Sequence, residues 1–188
     1  GVAAVLSTAA SLGLPPPVQA AYDPRTASDA GDAPAQLGSM QAVIMFGSSS
    51  VLYDFVLRMR QLAPSVVLLA ASAANMAELT QAVGADKARG IGYLRSLPAP
   101  SARTALGREF REVWRKHGAP TEPTPFHLEG CLAVRLGIRA TMNTLRPAAP
   151  GALLRALRGL PPQRFGEFQL DVGREGQEGS SWVGIAVV

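Results

Sequence analysis

Gln41-Ala42-Val43-Ile44-Met45-Phe46-Gly47-Ser48-Ser49-Ser50 is the stretch from which the fold is read. Val43 to Phe46 form one continuous apolar run, the pattern of a strand buried on both faces of a parallel sheet. A Gly-Ser turn follows at once. Then Val51, Leu52, Phe55, Val56, Met59 and Leu62 recur at helical spacing, with Asp54, Arg58 and Gln61 off the stripe, which predicts a helix over Ser49–Leu62. Strand, turn and amphipathic helix in that order are one repeat of an alternating α/β chain.

The alternation extends outward from there. Downstream, Val66–Ala70 reads as the next buried strand, Ala74–Val83 as a helix closed by Gly84, and Ile91–Leu94 as a further strand. Upstream, residues 2–13 read as a helix with Gly13 as its stop signal. Val18–Tyr22 reads as a short strand after the Pro15-Pro16-Pro17 break, and Asp29–Leu37 as a weakly patterned helix. Four strands alternating with helices predict an α/β fold: three-layer α/β/α around a mostly parallel sheet with right-handed crossovers. Beyond the stiff Leu97-Pro98-Ala99-Pro100 segment the pattern changes to helices without strands between them. Ala102–His117 is amphipathic, with Leu106, Phe110, Val113 and Trp114 on one face. Phe126–Leu145 is apolar almost all round, which predicts burial, and Gly151–Leu160 follows with Pro150 at its start. The tail returns to strands: Phe168, Leu170 and Val172 alternate with polar residues, and Trp182–Val188 reads as a last strand.

Composition bounds the rest. The 188 residues suit one domain or slightly more. At 47% hydrophobic the chain has ample material for a core, which excludes intrinsic disorder. The single cysteine, Cys131, excludes an intramolecular disulfide and any zinc site built on two or more cysteines. The net charge of +4 is uneven: residues 1–86 carry three Arg against six acids, and residues 87–164 fourteen Lys/Arg against four. Those cations sit at helical spacing without runs or interleaved aromatics, so they read as solvated helix faces and no nucleic acid is expected. The apolar run from Val66 to Ala74 is far short of the ~18 residues of a membrane span, so no membrane insertion is expected. Gly1–Leu14 with Val18-Gln19-Ala20 has the outline of a signal-peptide core, but no positive charge precedes Arg25 and a helix is the preferred reading. A chain opening within a helical pattern is expected to be part of something longer.

Chemistry is sparse. Phe46, Gly47, Ser48, Ser49 and Ser50 lie where a buried strand ends and a helix starts, which is where open α/β sheets bind ligands. Unpaired helix-start N–H groups and adjacent hydroxyls suit a carboxylate or hydroxyl of a small solute; an ordinary serine N-cap fits the same residues equally well. The next strand ends similarly at Ala71-Ser72-Ala73-Ala74-Asn75, and the two loops together would make the floor of one pocket. Gly90-Ile91-Gly92 lacks a third glycine and precedes a strand, so it is no dinucleotide fingerprint. His127, Glu129 and Cys131 suggest a nucleophile cluster, but His127 and Cys131 share one helix face, and a core cysteine near a helix-start histidine explains them. With no paired carboxylates and no nucleophile elbow, no catalytic residue, metal ligand or cofactor is assigned.

Three stretches together resemble a known family. Gln41-Ala42-Val43-Ile44 with its Gly-Ser loop and the helix around Phe55–Arg60 is one. Phe126-His127-Leu128-Glu129-Gly130-Cys131-Leu132-Ala133 is similar to an aromatic-x-x-Glu-Gly-Tyr-x-Ala helix. Phe165-Gly166-Glu167-Phe168 with Gly179-Ser180-Ser181-Trp182-Val183 is similar to a closing hairpin. In this order they resemble the carboxyl-terminal half of the type I periplasmic solute-binding proteins of ABC transporters, the branched-chain-amino-acid-binding branch. The resemblance implies two α/β lobes with a solute trapped between them. Residues 1–97 and 165–188 would form most of the carboxyl-terminal lobe, and residues 98–164 a helical segment packing on the other lobe. It implies a non-enzymatic, periplasmic component that holds a small-molecule ligand at Phe46, Gly47, Ser48, Ser49, Ser72 and Ala73 and delivers it to an ABC permease. In the amino-acid binders an acidic residue pairs with the ligand ammonium where this chain has Ser72, and the family's Gly-Tyr is here Gly130-Cys131, so a carboxylate or neutral solute is as consistent as an amino acid. A ligand-sensing regulator of the same fold is the alternative, an α/β hydrolase or transferase a more distant one. The apolar helices of residues 102–145 predict a homodimer or a domain-swapped assembly.

Overall fold

A computed structural model describes residues 1–22, 30–47, 49–71, 75–144, 149, 151–173 and 179–188. The described residues form two compact units, Gly1–Arg95 with Ile185–Val188, and Ser96–Gly184.

The first unit holds α1 (Val2–Ser11), α2 (Ala33–Leu37), β1 (Ala42–Met45), α3 (Ser49–Leu62), β2 (Val67–Ala70), α4 (Met76–Val83), α5 (Ala85–Ala88) and β3 (Gly92–Arg95), and is joined late in the chain by β6 (Gly184–Val187). The sheet order among the described residues is β1-β2-β3-β6, with β1, β2 and β3 parallel. Val188, just past β6, exchanges backbone hydrogen bonds with Gly90 and Ile91, just before β3, so β6 runs antiparallel to β3. The fold is thus α/β with a mostly parallel sheet, as the strand–helix alternation predicts.

The core explains the register. Val43 and Met45 pair with Leu68 and Ala70, and all four are buried with Leu52, Phe55, Val56 and Met59 of α3 and Leu79 of α4. On the opposite face Ile44 and Val67 are 41% and 51% exposed. The expectation that these strands are buried on both faces is therefore corrected: β1 alternates between covered and open sides despite its continuous apolar sequence. A second correction concerns Val18–Tyr22, which has no strand pairing. The segment and β1 both line one cavity, and no described strand lies beside the segment to form a ladder with it.

One charged side chain adds polar ties to this packing. From α3, the Arg60 guanidinium donates to the carbonyls of Pro64 (3.3 Å), Val66 (3.4 Å), Lys87 (3.1 Å) and Arg89 (3.1 Å). It joins the turn before β2 to the turn before β3. Hydrogen bonds from a charged donor contribute more than neutral ones, so Arg60→Met is expected to cost about 1–3 kcal/mol. The urea midpoint by far-UV circular dichroism measures it, and an unchanged midpoint would show the four bonds to be worthless.

The second unit holds α6 (Ala105–His117), α7 (Pro125–Met142), α8 (Ala152–Arg158), β4 (Gln163–Phe165) and β5 (Phe168–Leu170). β4 and β5 form an antiparallel hairpin whose two-residue turn starts at Gly166, φ +68°, a conformation that favours glycine. Leu106, Phe110, Leu128, Leu132, Phe165 and Phe168 make its main core; Leu136, Ala140 and Leu160 make a smaller one. The Arg135 guanidinium on α7 pairs with the Glu109 carboxylate on α6 at 2.8 Å. The expected burial of α7 is corrected as well: Phe126, Val134, Ile138 and Met142 are exposed on one side of it.

Candidate functional site

Parallel pairing of β1 with β2 sets the geometry of the candidate site. Met45 and Ala70 are register partners at the last positions of the two strands. The loops that follow, from Phe46 and from Ala71, therefore leave the same end of the sheet side by side. This is the end at which a parallel sheet presents its helix-start N–H groups.

Phe46 is half-buried at the end of β1, and its ring lines a cavity beside the strand. Gly47 is held against Tyr22: a Cβ there would stand 2.8 Å from the tyrosine hydroxyl oxygen, so a larger residue would push the tyrosine ring aside. Ser49 opens α3 and Ser50 is exposed in its first turn. Ser48, Ser72 and Ala73, and the Ser49 side chain, lie outside the described residues. Asn75 caps α4, its Oδ1 accepting the Glu78 N–H at 3.4 Å. A serine cap was the competing reading for residues 48–50; in the neighbouring loop an asparagine has that role.

The His127–Cys131 pair has a structural explanation. His127 Nδ1 accepts the Thr124 backbone N–H at 3.0 Å, reaching back over the first turn of α7 as a glutamate does in a capping box. Its ring packs on Trp114, centroids 4.6 Å apart. Cys131 is half-buried against the core of the second unit. Thr124 followed three residues later by a side-chain acceptor was the sequence signal for this cap, hidden because histidine stands in the usual place of Glu or Gln. Among the described residues no group of three or more His, Cys, Asp or Glu could hold a metal ion, and no helix is long and apolar enough to cross a membrane.

No protein-family profile and no curated relative matches the sequence. Solved structures do. A substrate-binding periplasmic protein from Ralstonia solanacearum is 24% identical over 100% of this chain and 54% of its own, with a TM-score of 0.81. A periplasmic binding protein type 1 from Bordetella pertussis is 17% identical over 98% of this chain and 53% of its own, with a TM-score of 0.79. A branched-chain amino acid ABC transporter protein from Thermus thermophilus, solved with bound valine, is 16% identical over 97% and 52%, with a TM-score of 0.65. The chain has the fold of one half of a type I periplasmic binding protein, and spans about half the length of these neighbours. The first two of these neighbours are named as binding proteins.

Proposed function

We propose that the chain is part of an extracytoplasmic solute-binding protein serving an ABC-type importer, binding a small polar solute without chemistry. The observation that carries the reading is the side-by-side departure of the Phe46 and Ala71 loops from the carboxyl end of a parallel sheet, in a fold whose solved neighbours are binding proteins. Phe46, Gly47, Ser48, Ser49, Ser72 and Ala73 are the proposed contacts. The helix-start N–H groups of α3 would take a carboxylate, the serine hydroxyls its remaining polar atoms. In this reading residues 1–97 and 165–188 belong to the carboxyl-terminal lobe and residues 98–164 to helices that pack on a second lobe. The partners are a permease and, for these 188 residues by themselves, a second copy; the compartment is the periplasm.

Nuclear magnetic resonance titration of the chain with valine, leucine and small carboxylates tests it. Shifts should concentrate at the amides of residues 46–50 and 71–75. Each of Ser48→Ala and Ser72→Ala should weaken binding by about 1–3 kcal/mol, the cost of leaving a buried ligand group unpaired. Shifts centred elsewhere, or unchanged affinity in both variants, would move the site. Tight binding of valine or leucine, with simple carboxylates excluded, would mean that the ammonium has a partner other than Ser72.

A further inference from the structure

The three parallel strands end level with one another. Met45 on β1, Ala70 on β2 and Tyr93 on β3 are successive register partners. Two residues further on, β1 has given way to Gly47 of the first candidate loop, and β3 has reached Arg95. Arg95 therefore stands at the same end of the sheet as the Phe46 and Ala71 loops, one strand beyond the second of them. Residues two apart on a strand share a face, and Tyr93 packs on the core that holds Met45 and Ala70 against α3 and α4. The guanidinium and the helix-start N–H groups of α3 and α4 thus belong to one end and one side of the sheet.

The Arg95 head group is held but not neutralised. Its Cζ lies 4.8 Å from the centroid of the Tyr93 ring, and its Nη2 donates to the Tyr93 hydroxyl. Stacking and hydrogen bond together orient the guanidinium plane. The side chain is half-buried and its Nε is shut off from solvent. Among the described residues that Nε has no hydrogen-bond acceptor, and Arg95 pairs with no carboxylate. Asp54 is engaged by the Ala30 N–H and by Arg58, and Glu78, in the first turn of α4, is exposed and not bonded to Arg95. A buried charged donor without an acceptor is costly. An arginine serving the fold alone spends its donors as Arg60 does, on surrounding carbonyls.

We propose that Arg95 is a specificity-determining residue of the candidate site: its guanidinium takes the carboxylate of the solute, and the solute is an organic anion with no amino group beside that carboxylate. The inference rests on the solute-binding reading given above and narrows it. A carboxylate matches the guanidinium fork with two parallel hydrogen bonds, and the unused Nε is one donor of that fork. The positive ends of α3 and α4 act in the same sense. An ammonium group next to the carboxylate would be repelled by these same charges. Tyr93 is a positioning residue, acting on the solute only through Arg95.

Isovalerate, isovaleramide and valine share one carbon skeleton and differ in charge. Each is titrated into the full chain by nuclear magnetic resonance, following the amides of residues 46–50 and 71–75 and the Arg95 Nε–H. Isovalerate should shift both sets of signals and bind on the order of tenfold or more tighter than the other two. Arg95→Gln should abolish that preference, and Arg95→Lys, which keeps the charge without the fork, should keep part of it. Tyr93→Phe should weaken isovalerate by a smaller factor and leave isovaleramide unchanged. Equal binding of isovalerate and isovaleramide to the unaltered chain would overturn the proposal without recourse to any variant. So would a preference for valine, or undiminished isovalerate affinity in a folded Arg95→Gln chain; in these cases shifts at the two loops would leave the solute site itself standing. Loop amides that respond to none of the three probes would overturn the site and this inference together.

Discussion

Replacing Phe168 by alanine should remove most of the stability of the second unit. The ring is fully buried, 0% exposed, at the centre of the cluster with Leu106, Phe110, Leu128, Leu132 and Phe165. It also meets the Trp182 ring edge-on, centroids 6.3 Å apart and planes at 77°. A Phe→Ala change in a closed core costs about 3–5 kcal/mol, from the lost transfer energy and the cavity left behind. Domains have about 5–15 kcal/mol in all, so a small core cannot absorb that loss. Both tryptophans of the sequence, Trp114 and Trp182, lie in this unit, so their fluorescence during urea unfolding follows it selectively. A midpoint close to that of the parent would show that the hairpin carrying Phe168 is not what holds α6 to α7.

The second large effect concerns association. Phe126, Val134, Ile138 and Met142 recur at every fourth residue or its multiple along α7, and are 47%, 61%, 54% and 80% exposed. Gly130 continues the row without a side chain, and nothing approaches within 4 Å of where its Cβ would be. Over sixteen residues the row runs roughly 24 Å. Full burial of each large side chain is worth about 1.5–3 kcal/mol, which makes such a row an interface in waiting. Light scattering after size exclusion should therefore give at least twice the 19.6 kDa of one chain. Val134→Lys with Ile138→Lys should restore the single-chain mass, because two buried cations would each need a partner. An unaltered chain that stays monomeric and binds no apolar dye would sink the idea. If it does associate, exchange of helices about Leu97–Pro100 is the preferred form, and a proteolytic or cross-linking map would show which helices cross.

The parallel sheet and its helices were legible because each signal was local and redundant. α3 begins and ends at the residues its apolar stripe marks, Ser49 and Leu62, and Gly84 caps α4 as its position implies. What misled was burial. A continuous run such as Val43 to Phe46 says only that water is unwelcome; it does not say whether a neighbour covers the second face. Val18–Tyr22 has strand-like composition, but a strand exists only with a partner, and none of the described residues provides one. The roles of Arg60 and His127 were illegible for different reasons. Arg60 acts through backbone carbonyls, which every residue carries, so no residue pattern advertises it; His127 completes a capping pattern in which Glu or Gln is the usual residue. Of the candidate site, the side-by-side departure of the two loops was legible, because it follows from the parallel register of β1 and β2.

The order of the strands also sets a schedule for biosynthesis. β3 receives its outer neighbour from Ile185–Val188, which the ribosome delivers only after all of Ser96–Gly184. At typical elongation rates, about 90 residues take roughly 5–20 s. For that interval the outer edge of β3 is open. β3 is only four residues long and ends in Arg95, features that discourage pairing with a stranger.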